Sequence, residues 1–573
     1  MNSLFLAISG LLFFGLGYRF YASFIAHKIY SIQEIKDQVP AVEFEDGIDF
    51  VPTKKEILFG HHFTSIAGAA PIIGPCIAAY WGWLPALIWI VFGTIFMGAV
   101  HDFGALVISV REKGKTIADI TGTIINKRVR TMFLIFVMML SWLVLAVFAM
   151  AIAGLFVSIP SAVLPVNIEI LLALIMGYVL YFKKIDALIP SITALVLLYI
   201  FVYLGFLYPV SFEPLGLNQS SQTTLWIVIL FIYSGIASLL PVWLLLQPRD
   251  FINSHQLIFG LGIIFIGIAI AQPAVDAPMI RTAGEGIPNL FPLLFVTVAC
   301  GAISGFHGLV ASGTTSKQVS DIRDTKLIGY GSMVGEGTLA LASLIAAVAG
   351  ISLVSQCNLP SVGTVSDLNW HIYYDTWANA ATNKATAFVL GGGALIESIG
   401  IPAPLAKTIM AVLVISFAAT TLDTATRIQR FILMEIGDAS HITPLQNRYT
   451  ATLIAILPAL ALTLWNVTDP VSGTLLKAGW VLWPIFGASN QMLAALTLMM
   501  VSIYFWRKNK TVLPLILPFI FLSVTTVASL LTHAMSFMGN NRLLFVIVAI
   551  LLLLTLWMLY EGWLVFRKGR SAK

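Results

Sequence analysis

The amino-acid sequence predicts an all-α polytopic membrane protein, and three observations support this prediction. Only 10% of the 573 residues are charged and 58% are hydrophobic, whereas soluble domains carry about 25% charged residues. Apolar stretches of about 20 residues, the length that one helix needs to cross a bilayer, recur along the chain. Lys and Arg gather in every second connection between these stretches. This composition excludes a soluble enzyme, a nucleic-acid-binding protein and a secreted domain stabilised by disulfides.

The chain begins with an apolar stretch that lacks the basic segment and the cleavage site of a signal peptide, so we expect a retained accessory helix in residues 1–30. In all, about 15 stretches are long enough to cross a membrane. They lie near residues 2–24, 63–81, 82–110, 131–158, 160–182, 184–208, 223–247, 255–272, 289–313, 330–356, 404–424, 450–466, 475–505, 512–534 and 542–566. A shorter apolar segment at 386–400 is typical of a re-entrant hairpin.

The charges of the connecting loops predict the orientation of the chain. Loop 111–130 carries six Lys and Arg residues and segment 507–510 carries three, whereas loop 209–222 carries none. Because basic loops stay in the cytoplasm, this alternation predicts an external N-terminus and a cytoplasmic C-terminus. It also accounts for the net charge of +5 without a nucleic-acid partner. The polar segments 31–62 and 357–402 are too short for separate domains, so residues 1–573 are expected to form one membrane domain.

Two of the predicted spans contain helix-breaking residues. Segment 63–81 has Gly68, Pro71 and Gly74 in its middle, and proline removes a backbone donor from a helix. Segment 223–247 contains Gly235 and Pro241. Non-helical backbone at membrane depth is tolerated where it contacts protein or lines a water-filled cavity. A kinked, closely packed helix is the alternative interpretation of each segment.

The spacing of these two segments predicts an inverted repeat. The second lies five spans after the first and runs in the opposite direction, a pattern typical of LeuT-like symporters with five plus five helices. We therefore expect a first repeat at 63–208 and an inverted second repeat at 223–424. The helix in 1–30 and the helices in 450–566 would then be accessory.

The end of the predicted span 289–313 suggests a cation site. Ala311, Thr314 and Thr315 lie on one helical face, and hydroxyl and carbonyl oxygens suit a small hard cation. Carbonyls near Ala69 and Ile72 could complete its coordination. Threonines that bond back to their own helix, as ordinary packing residues, are the alternative.

Ionisable residues within the predicted spans are candidates for a coupling proton, because charges are costly at membrane depth. His101 and Asp102 are adjacent in sequence and would point about 100° apart on a helix, so they need not touch. His307 lies between two glycines and is the strongest single candidate for a contact with substrate or proton. A structural hydrogen bond to a neighbouring helix is the alternative for each of them.

Five further ionisable residues receive weaker interpretations. Glu336 is expected near a membrane interface, and Asp423 and Arg427 are expected to form a local ion pair because they are four residues apart. His61 and His62 would face an inner vestibule. The chain contains no HExxH, Walker A or GxSxG signature in a suitable context, so no enzyme activity is expected. The three cysteines have no metal-binding spacing, and no cofactor is expected.

Four motifs resemble the carbon starvation protein (CstA) family. They are FGHHFTSIAGAAPIIGP at 59–75, HDFGAL at 101–106, SGFHGLVASGTTSKQ at 304–318 and TTLDTATRIQRF at 420–431. The resemblance covers about residues 50–435 and implies a multi-pass transporter of the bacterial cytoplasmic membrane. Its members are linked to peptide uptake under nutrient limitation, and a sister branch takes up pyruvate. A nutrient sensor is the less favoured alternative, because no sizeable cytoplasmic domain is predicted.

The carboxylate shared by peptides and pyruvate suggests where a substrate would bind. The breaks at 68–75 and 235–241 would expose the positive ends of half-helices, which favour anions. The expected substrate residues are Gly68, Ala69, Pro71, Gly74, His307, Gly235 and Ser238. The expected ion-coupling residues are Ala69, Ile72, Ala311, Thr314, Thr315, His101 and Asp102. The sequence leaves open the choices between peptide and pyruvate and between Na⁺ and H⁺, and also the oligomeric state.

Overall fold

A computed structural model describes the whole chain except residues 35–37, 48, 184, 282–286, 360–362, 383–384, 469–474, 540 and 570–573. Twelve of its helices are long and apolar enough to cross a membrane in the described residues. In chain order, the helices that build the bundle are α1 Ser3–Ile29, α2 Lys55–Ile66, α3 Ala70–Ala78, α4 Trp83–Arg111, α5 Lys127–Ser158, α6 Pro160–Lys183, α7 Leu188–Leu207, α8 Gln219–Leu239, α9 Leu246–Ala271, α10 Leu290–Thr297, α11 Gly305–Gly313, α12 Ile322–Val348, α13 Thr386–Glu397, α14 Ala403–Ser440, α15 Arg448–Leu464, α16 Trp483–Arg507, α17 Leu513–Phe537 and α18 Arg542–Arg567.

Most of the stretches predicted from hydropathy correspond to these helices. Helices α2 and α3 form one bent pair, with 49° between them, that begins at Lys55 and not at 63. Helix α2 starts earlier than expected because His61 and His62 are buried against partners from other helices and not exposed in a loop. The predicted span 289–313 is divided into short helices, and α13, with 12 residues, is too short to cross.

The helix break expected within 223–247 is absent. Helix α8 runs without interruption from Gln219 to Leu239, and Pro241 lies in the turn that leads to α9. Pro241 therefore ends a helix and does not interrupt one, as proline does where the chain turns. Gly235 lies within α8 against α15, where a β-carbon would come 3.1 Å from Ile456.

The second discontinuous helix is α10–α11. Between them lies a single turn, Ala299–Ala302, followed by extended backbone at Ile303 and Ser304. The sequence has no proline at these breaks. Pro292 lies before them, in the first turn of α10. The position of the second discontinuity was therefore predicted wrongly.

The two discontinuous helices, α2–α3 and α10–α11, are antiparallel neighbours. At one end Thr53 pairs with Val319, and at the other the Trp81 indole nitrogen donates to the Pro288 carbonyl over 2.8 Å. In the middle, a β-carbon on Gly74 would lie 2.5 Å from the Thr297 carbonyl oxygen. Glycine at 74 therefore permits the two backbones to approach each other.

The bundle has two polar faces. We call one the basic face, because the helix ends that carry Arg111, Arg323, Arg448 and Arg507 gather there. Contacts between its loops include Arg507 to the Ile124 carbonyl.

The opposite face carries two short antiparallel hairpins. They are β1 Gln356–Leu359 with β2 Gly363–Ser366, and β3 Asn466–Thr468 with β4 Leu475–Lys477. Cys357 lies opposite Val365, and Val467 lies opposite Leu476. On this face, Arg281 lies 4.3 Å from the ring centre of Tyr80 and 5.3 Å from that of Trp370, over the end of α3. Aromatic packing thus covers this end of the first discontinuous helix.

Candidate functional site

A buried cluster of titratable side chains lies beside the two discontinuous helices. Asp102 on α4 contacts His101 on the same helix, with 2.7 Å between Oδ1 and Nδ1. Its second oxygen, Oδ2, lies 2.8 Å from Nδ1 of His307 on α11. The adjacent positions 101 and 102 therefore do touch, because the imidazole folds back onto its neighbour's carboxylate. We call His101, Asp102, His307 and Glu336 the central cluster.

Glu336 completes the central cluster from α12. Its Oε2 lies 3.2 Å from Nε2 of His307, so this imidazole stands between two carboxylates. All four side chains are 1% exposed or less. The interfacial position expected for Glu336 is thus wrong, because Gly335 and Gly337 on either side of it let α12 pack closely against α2 and α4.

Proton exchange is the chemistry for which this cluster is suited. A buried imidazole between two carboxylates can take up or release a proton without leaving an isolated charge. In the described part of the chain, Nε2 of His101 and both carboxylate oxygens of Glu336 have no hydrogen-bond partner, so His307 and Glu336 are related by an ion-pair distance alone. The protonation state can therefore change at His101 and at Glu336, the two ends of this series of contacts.

The residues expected to hold a cation are engaged in other contacts. The Thr315 hydroxyl lies 2.8 Å from Nδ1 of His62, and the Thr314 hydroxyl donates to the Val310 carbonyl of its own helix over 3.0 Å. Ala311 is buried on α11, whereas Ala69 and Ile72 are buried at the start of α3. Among the described residues, no group of three or more His, Cys, Asp or Glu could hold a metal ion.

The first break is formed by Ala67 and Gly68. The Gly68 amide donates to the Ile66 carbonyl over 2.9 Å, in a tight turn that bends the chain before α3 begins. A β-carbon at Gly68 would collide with the Thr421 hydroxyl of α14 and lie 3.1 Å from the Phe148 ring of α5. Ala69 starts α3 without a side-chain cap, and Pro71 occupies its first turn. The positive end of α3 is therefore directed at the centre of the bundle.

The second break is capped by a residue that the sequence analysis missed. Asn490 on α16 accepts a hydrogen bond from the Phe306 amide over 2.9 Å and donates to the Ser304 hydroxyl over 2.9 Å. Its Nδ2 also lies 3.0 Å from Sγ of Cys300. The run of polar residues Ser489, Asn490 and Gln491 within a predicted membrane span was the available signal. The start of α11 is thus already satisfied by protein, unlike the start of α3.

A vestibule of about 880 Å³ leads from the basic face toward the first break. Its wall reaches His61 and Ser65, and Ser65 lies two residues before Ala67, where the break begins. The turn between α8 and α9 lies along this wall, and Arg427 and Arg430 of α14 also line it. The expectation that His61 faces an inner vestibule agrees with its position, whereas His62 points to Thr315.

A second buried network lies between α6, α8, α9 and α14. Arg249 donates to Glu169 over 3.2 Å and to Asp423 over 2.6 Å, and Tyr233 donates to the same Asp423 oxygen. The local ion pair expected between Asp423 and Arg427 is therefore wrong. Arg249 reaches Asp423 from another helix, and Arg427 is directed at backbone carbonyls at the end of α8.

Gly235 and Ser238 lie in α8, away from both breaks. The Ser238 hydroxyl donates to the Gly235 carbonyl over 2.9 Å, and its own carbonyl accepts from Arg430. A further buried pair joins α2 to α9, where Nδ1 of His61 lies 2.8 Å from Asp250 and the Ser65 hydroxyl donates to it over 3.2 Å.

Comparison with known proteins places the chain among bacterial transporters. A curated peptide transporter CstA from Campylobacter jejuni is 30% identical, over 95% of this chain and 82% of the relative. A pyruvate/proton symporter, BtsT from Escherichia coli, is also 30% identical, over 89% of this chain and 78% of the relative. Among solved structures, a mutant of a manganese transporter from Eremococcus coleocola aligns with 91% of this chain and 99% of that chain, at 14% identity and a TM-score of 0.48.

The model of the family described as carbon starvation protein CstA matches residues 2–529. The four motifs that carried the resemblance lie within the matched region, and they include the first break and three members of the central cluster, His101, Asp102 and His307. The chain therefore belongs to the carbon starvation protein CstA family, and it is a membrane transporter and not an enzyme.

Proposed function

We propose that the protein is a proton-coupled symporter that brings small carboxylate-bearing nutrients into the bacterial cell, with peptides as the favoured substrates. The observation that carries this proposal is the central cluster. Two carboxylates and two imidazoles are buried in mutual contact beside a helix break that a vestibule approaches. Ionisable groups at membrane depth are characteristic of proton-driven carriers.

The packing of the helices supports an inverted repeat of five plus five helices. The first repeat would comprise α2–α3, α4, α5, α8 and α9, and the second α10–α11, α12, α14, α15 and α16. Each member of the second series runs opposite to its counterpart. Matching contacts recur in both, since α9 packs on α2 and α14 as α16 packs on α10 and α5.

This assignment differs from the repeats expected at 63–208 and 223–424. The hairpin α6–α7 becomes an insertion in the first repeat, and the second repeat begins at the discontinuous helix α10–α11. Helices α1, α17 and α18 would be accessory. With both discontinuous helices and α15 counted as crossings, the chain would cross the membrane about 15 times, with the basic face in the cytoplasm and the N-terminus outside.

A proton is the better-supported coupling ion. The Thr314 hydroxyl donates to a backbone carbonyl of its own helix and the Thr315 hydroxyl contacts His62, which favours the interpretation of both as packing residues. The central cluster offers groups that can change protonation. One relative is named a pyruvate/proton symporter. A transport assay that applies either a proton gradient or a sodium gradient distinguishes proton coupling from sodium coupling.

The start of α3 is the proposed position of the substrate carboxylate. Its amides carry the partial positive charge of a helix N-terminus and lack a side-chain cap. Gly68 and Ala69 would provide backbone contacts, and Phe148 and Thr421 would form the facing wall. Relatives named peptide transporters favour a peptide, and the named pyruvate symporter makes pyruvate the alternative.

Uptake by proteoliposomes that contain only this protein tests the proposal. Labelled alanyl-alanine and labelled pyruvate would be offered separately, each under an inward proton gradient or an inward sodium gradient. We expect accumulation of one of them under the proton gradient alone. Accumulation under sodium alone would overturn proton coupling. Failure to move either compound in folded protein would overturn the proposed transport function and favour a nutrient sensor.

A further inference from the structure

We propose that Arg427 and Arg430 of α14 form a second binding site, in the vestibule, for the carboxylate of the transported molecule. The site lies on the basic-face side of the first break, so a substrate would reach it after leaving the start of α3. This inference rests on the proposed function, because it places a second site for organic carboxylates on the same transport path.

The two guanidinium groups are held at the vestibule wall by the end of α8. Arg427 donates through Nη2 to the carbonyls of Ala237 and Leu240, and Arg430 donates through Nη1 to the Ser238 carbonyl over 2.6 Å. Each side chain is 6% exposed. An arginine has five N–H donors, so each group retains donors that these contacts do not use. Among the described residues, Nε of both arginines has no partner.

Neither arginine has a carboxylate within 4 Å in the part of the chain that the structure describes. Asp423, one turn before Arg427, is taken by Arg249. The vestibule wall has two acidic residues, Asp49 and Glu435. Glu435 is paired with Arg130 at 2.6 Å, so Asp49 is the remaining negative charge on the wall. Lys317 and Arg448 add positive charge to the same wall. The wall therefore carries an excess of positive charge around two nearly buried arginines.

Thr424 adds a hydroxyl to the same face of α14. It lies three residues before Arg427, lines the vestibule and is 4% exposed. Its Oγ1 has no hydrogen-bond partner among the described residues. A hydroxyl and two guanidinium groups on successive turns match a carboxylate, which accepts several charge-assisted hydrogen bonds. The cavity volume of about 880 Å³ is large enough for a dipeptide or for pyruvate.

A purely structural role is the competing explanation. Positive side chains stabilise the C-terminus of a helix, and both arginines bond to the last carbonyls of α8. Such a role predicts that loss of an arginine would change stability without changing which ligands bind. A carboxylate site predicts instead that the loss depends on the carboxylate of the ligand.

Equilibrium binding to the purified full-length protein separates these explanations. The probes are labelled alanyl-alanine, alanyl-alanine amide, which lacks the carboxylate, and labelled pyruvate. The variants are Arg427→Gln, Arg430→Gln and the charge-conserving Arg427→Lys, with Lys127→Gln as a control at an exposed position at the start of α5, outside the vestibule lining. Each variant is included once its melting temperature shows a folded protein. Arg427→Lys provides the test if Arg427→Gln does not fold.

We expect Arg427→Gln and Arg430→Gln to weaken binding of the free acids about tenfold or more, because a charge-assisted bond to each carboxylate is lost. Binding of the amide should change less than about twofold, and Arg427→Lys should be intermediate. Lys127→Gln should resemble wild type. Comparison of alanyl-alanine with pyruvate shows which carboxylate the wild type prefers, and a tenfold loss for either supports the site.

Two results would overturn the inference while leaving the proposed function intact. One is wild-type affinity for the free acids in folded Arg427→Gln and Arg430→Gln protein that is still able to transport. The other is an equal loss for acid and amide, which is the signature of the structural role. A wild-type protein that binds and transports neither free acid would overturn both this inference and the proposed function.

Discussion

Asp102 is the residue on which the proposed coupling depends, because its two carboxylate oxygens contact two different imidazoles. The Asp102 oxygens lie 2.7 Å from Nδ1 of His101 and 2.8 Å from Nδ1 of His307. The other ring nitrogen of His307 lies 3.2 Å from Oε2 of Glu336. Neutralising this carboxylate removes the centre of the chain of contacts while keeping its shape. The residue types were visible in the sequence. Their contacts were not, because they come from three separate helices.

Asp102→Asn should reduce accumulation under a proton gradient about tenfold or more, since one buried charge in a proton-exchanging network is lost. Exchange of labelled for unlabelled substrate, which needs no net proton movement, should persist. Glu397→Gln, at an exposed position on α13, is the matched control. Full proton-driven accumulation by Asp102→Asn would exclude a role for this carboxylate in coupling.

Lower external pH should increase the initial rate of uptake. The sign follows from the stoichiometry, because protons are co-substrates and their concentration outside rises as the pH falls. Initial rates at a fixed internal pH measure this dependence. The Asp102→Asn protein should lose most of it. A wild-type rate that is independent of external pH would contradict proton symport.

Removal of the Thr314 or Thr315 hydroxyl tests whether sodium or protons drive transport. Thr314→Ala should leave transport near wild type, because its hydroxyl bonds only to its own helix. Thr315→Ala removes the contact to His62 and should slow transport. Rates with and without sodium provide the measurement. A loss of sodium-stimulated uptake in Thr314→Ala would instead restore the cation site suggested by the sequence.

At the scale of the elements, the two discontinuous helices differ in how visible they are in the sequence. The first was predictable, because Gly68, Pro71 and Gly74 cluster within one span. The second was missed, because its break at Ile303 and Ser304 contains no proline, although Gly301 and Gly305 lie on either side of it. Pro241 gave a false signal, since a proline at a helix end and one at a break are alike in sequence. Hydropathy identifies crossings, and only packing decides where the backbone departs from a helix.

Gly74→Ala tests the contact between the two discontinuous helices. The new β-carbon would lie 2.5 Å from the Thr297 carbonyl oxygen, so the helices must separate. We expect a loss of about 1–3 kcal/mol in stability, the usual cost of overpacking, and a lower melting temperature. Gly262→Ala on α9 is the control, because its β-carbon would meet nothing within 4 Å. Equal melting temperatures for both variants would contradict the close approach.

At the scale of the whole molecule, the class of fold and the family could be predicted from the sequence, whereas the helices that we assign to each proposed repeat could not. Composition and loop charges were sufficient for a polytopic helical protein, and four motifs for its family. The proposed repeats required knowledge of which helices pack together, and the hairpin α6–α7 interrupts the first of them. An insertion of two spans preserves the alternation of loop charge, so hydropathy and charge cannot reveal it.

The proposed orientation predicts which positions a membrane-impermeant thiol reagent reaches in intact cells. Gln219→Cys, exposed on the face opposite the basic face, should be labelled. Ala439→Cys, exposed at the basic-face end of α14, should be labelled only after the cells are opened. The unmodified protein is the background control, because its three cysteines are buried. The reverse pattern would contradict a cytoplasmic basic face.

Substrate-driven proton entry is the measurement that tests proton symport most directly. Proteoliposomes with a trapped pH dye would receive alanyl-alanine or pyruvate outside, with no ion gradient and with potassium and valinomycin to hold the membrane potential near zero. We predict that the transported compound acidifies the lumen and that Asp102→Asn protein does not do so. Accumulation of label under a sodium gradient without any acidification of the lumen would contradict the account.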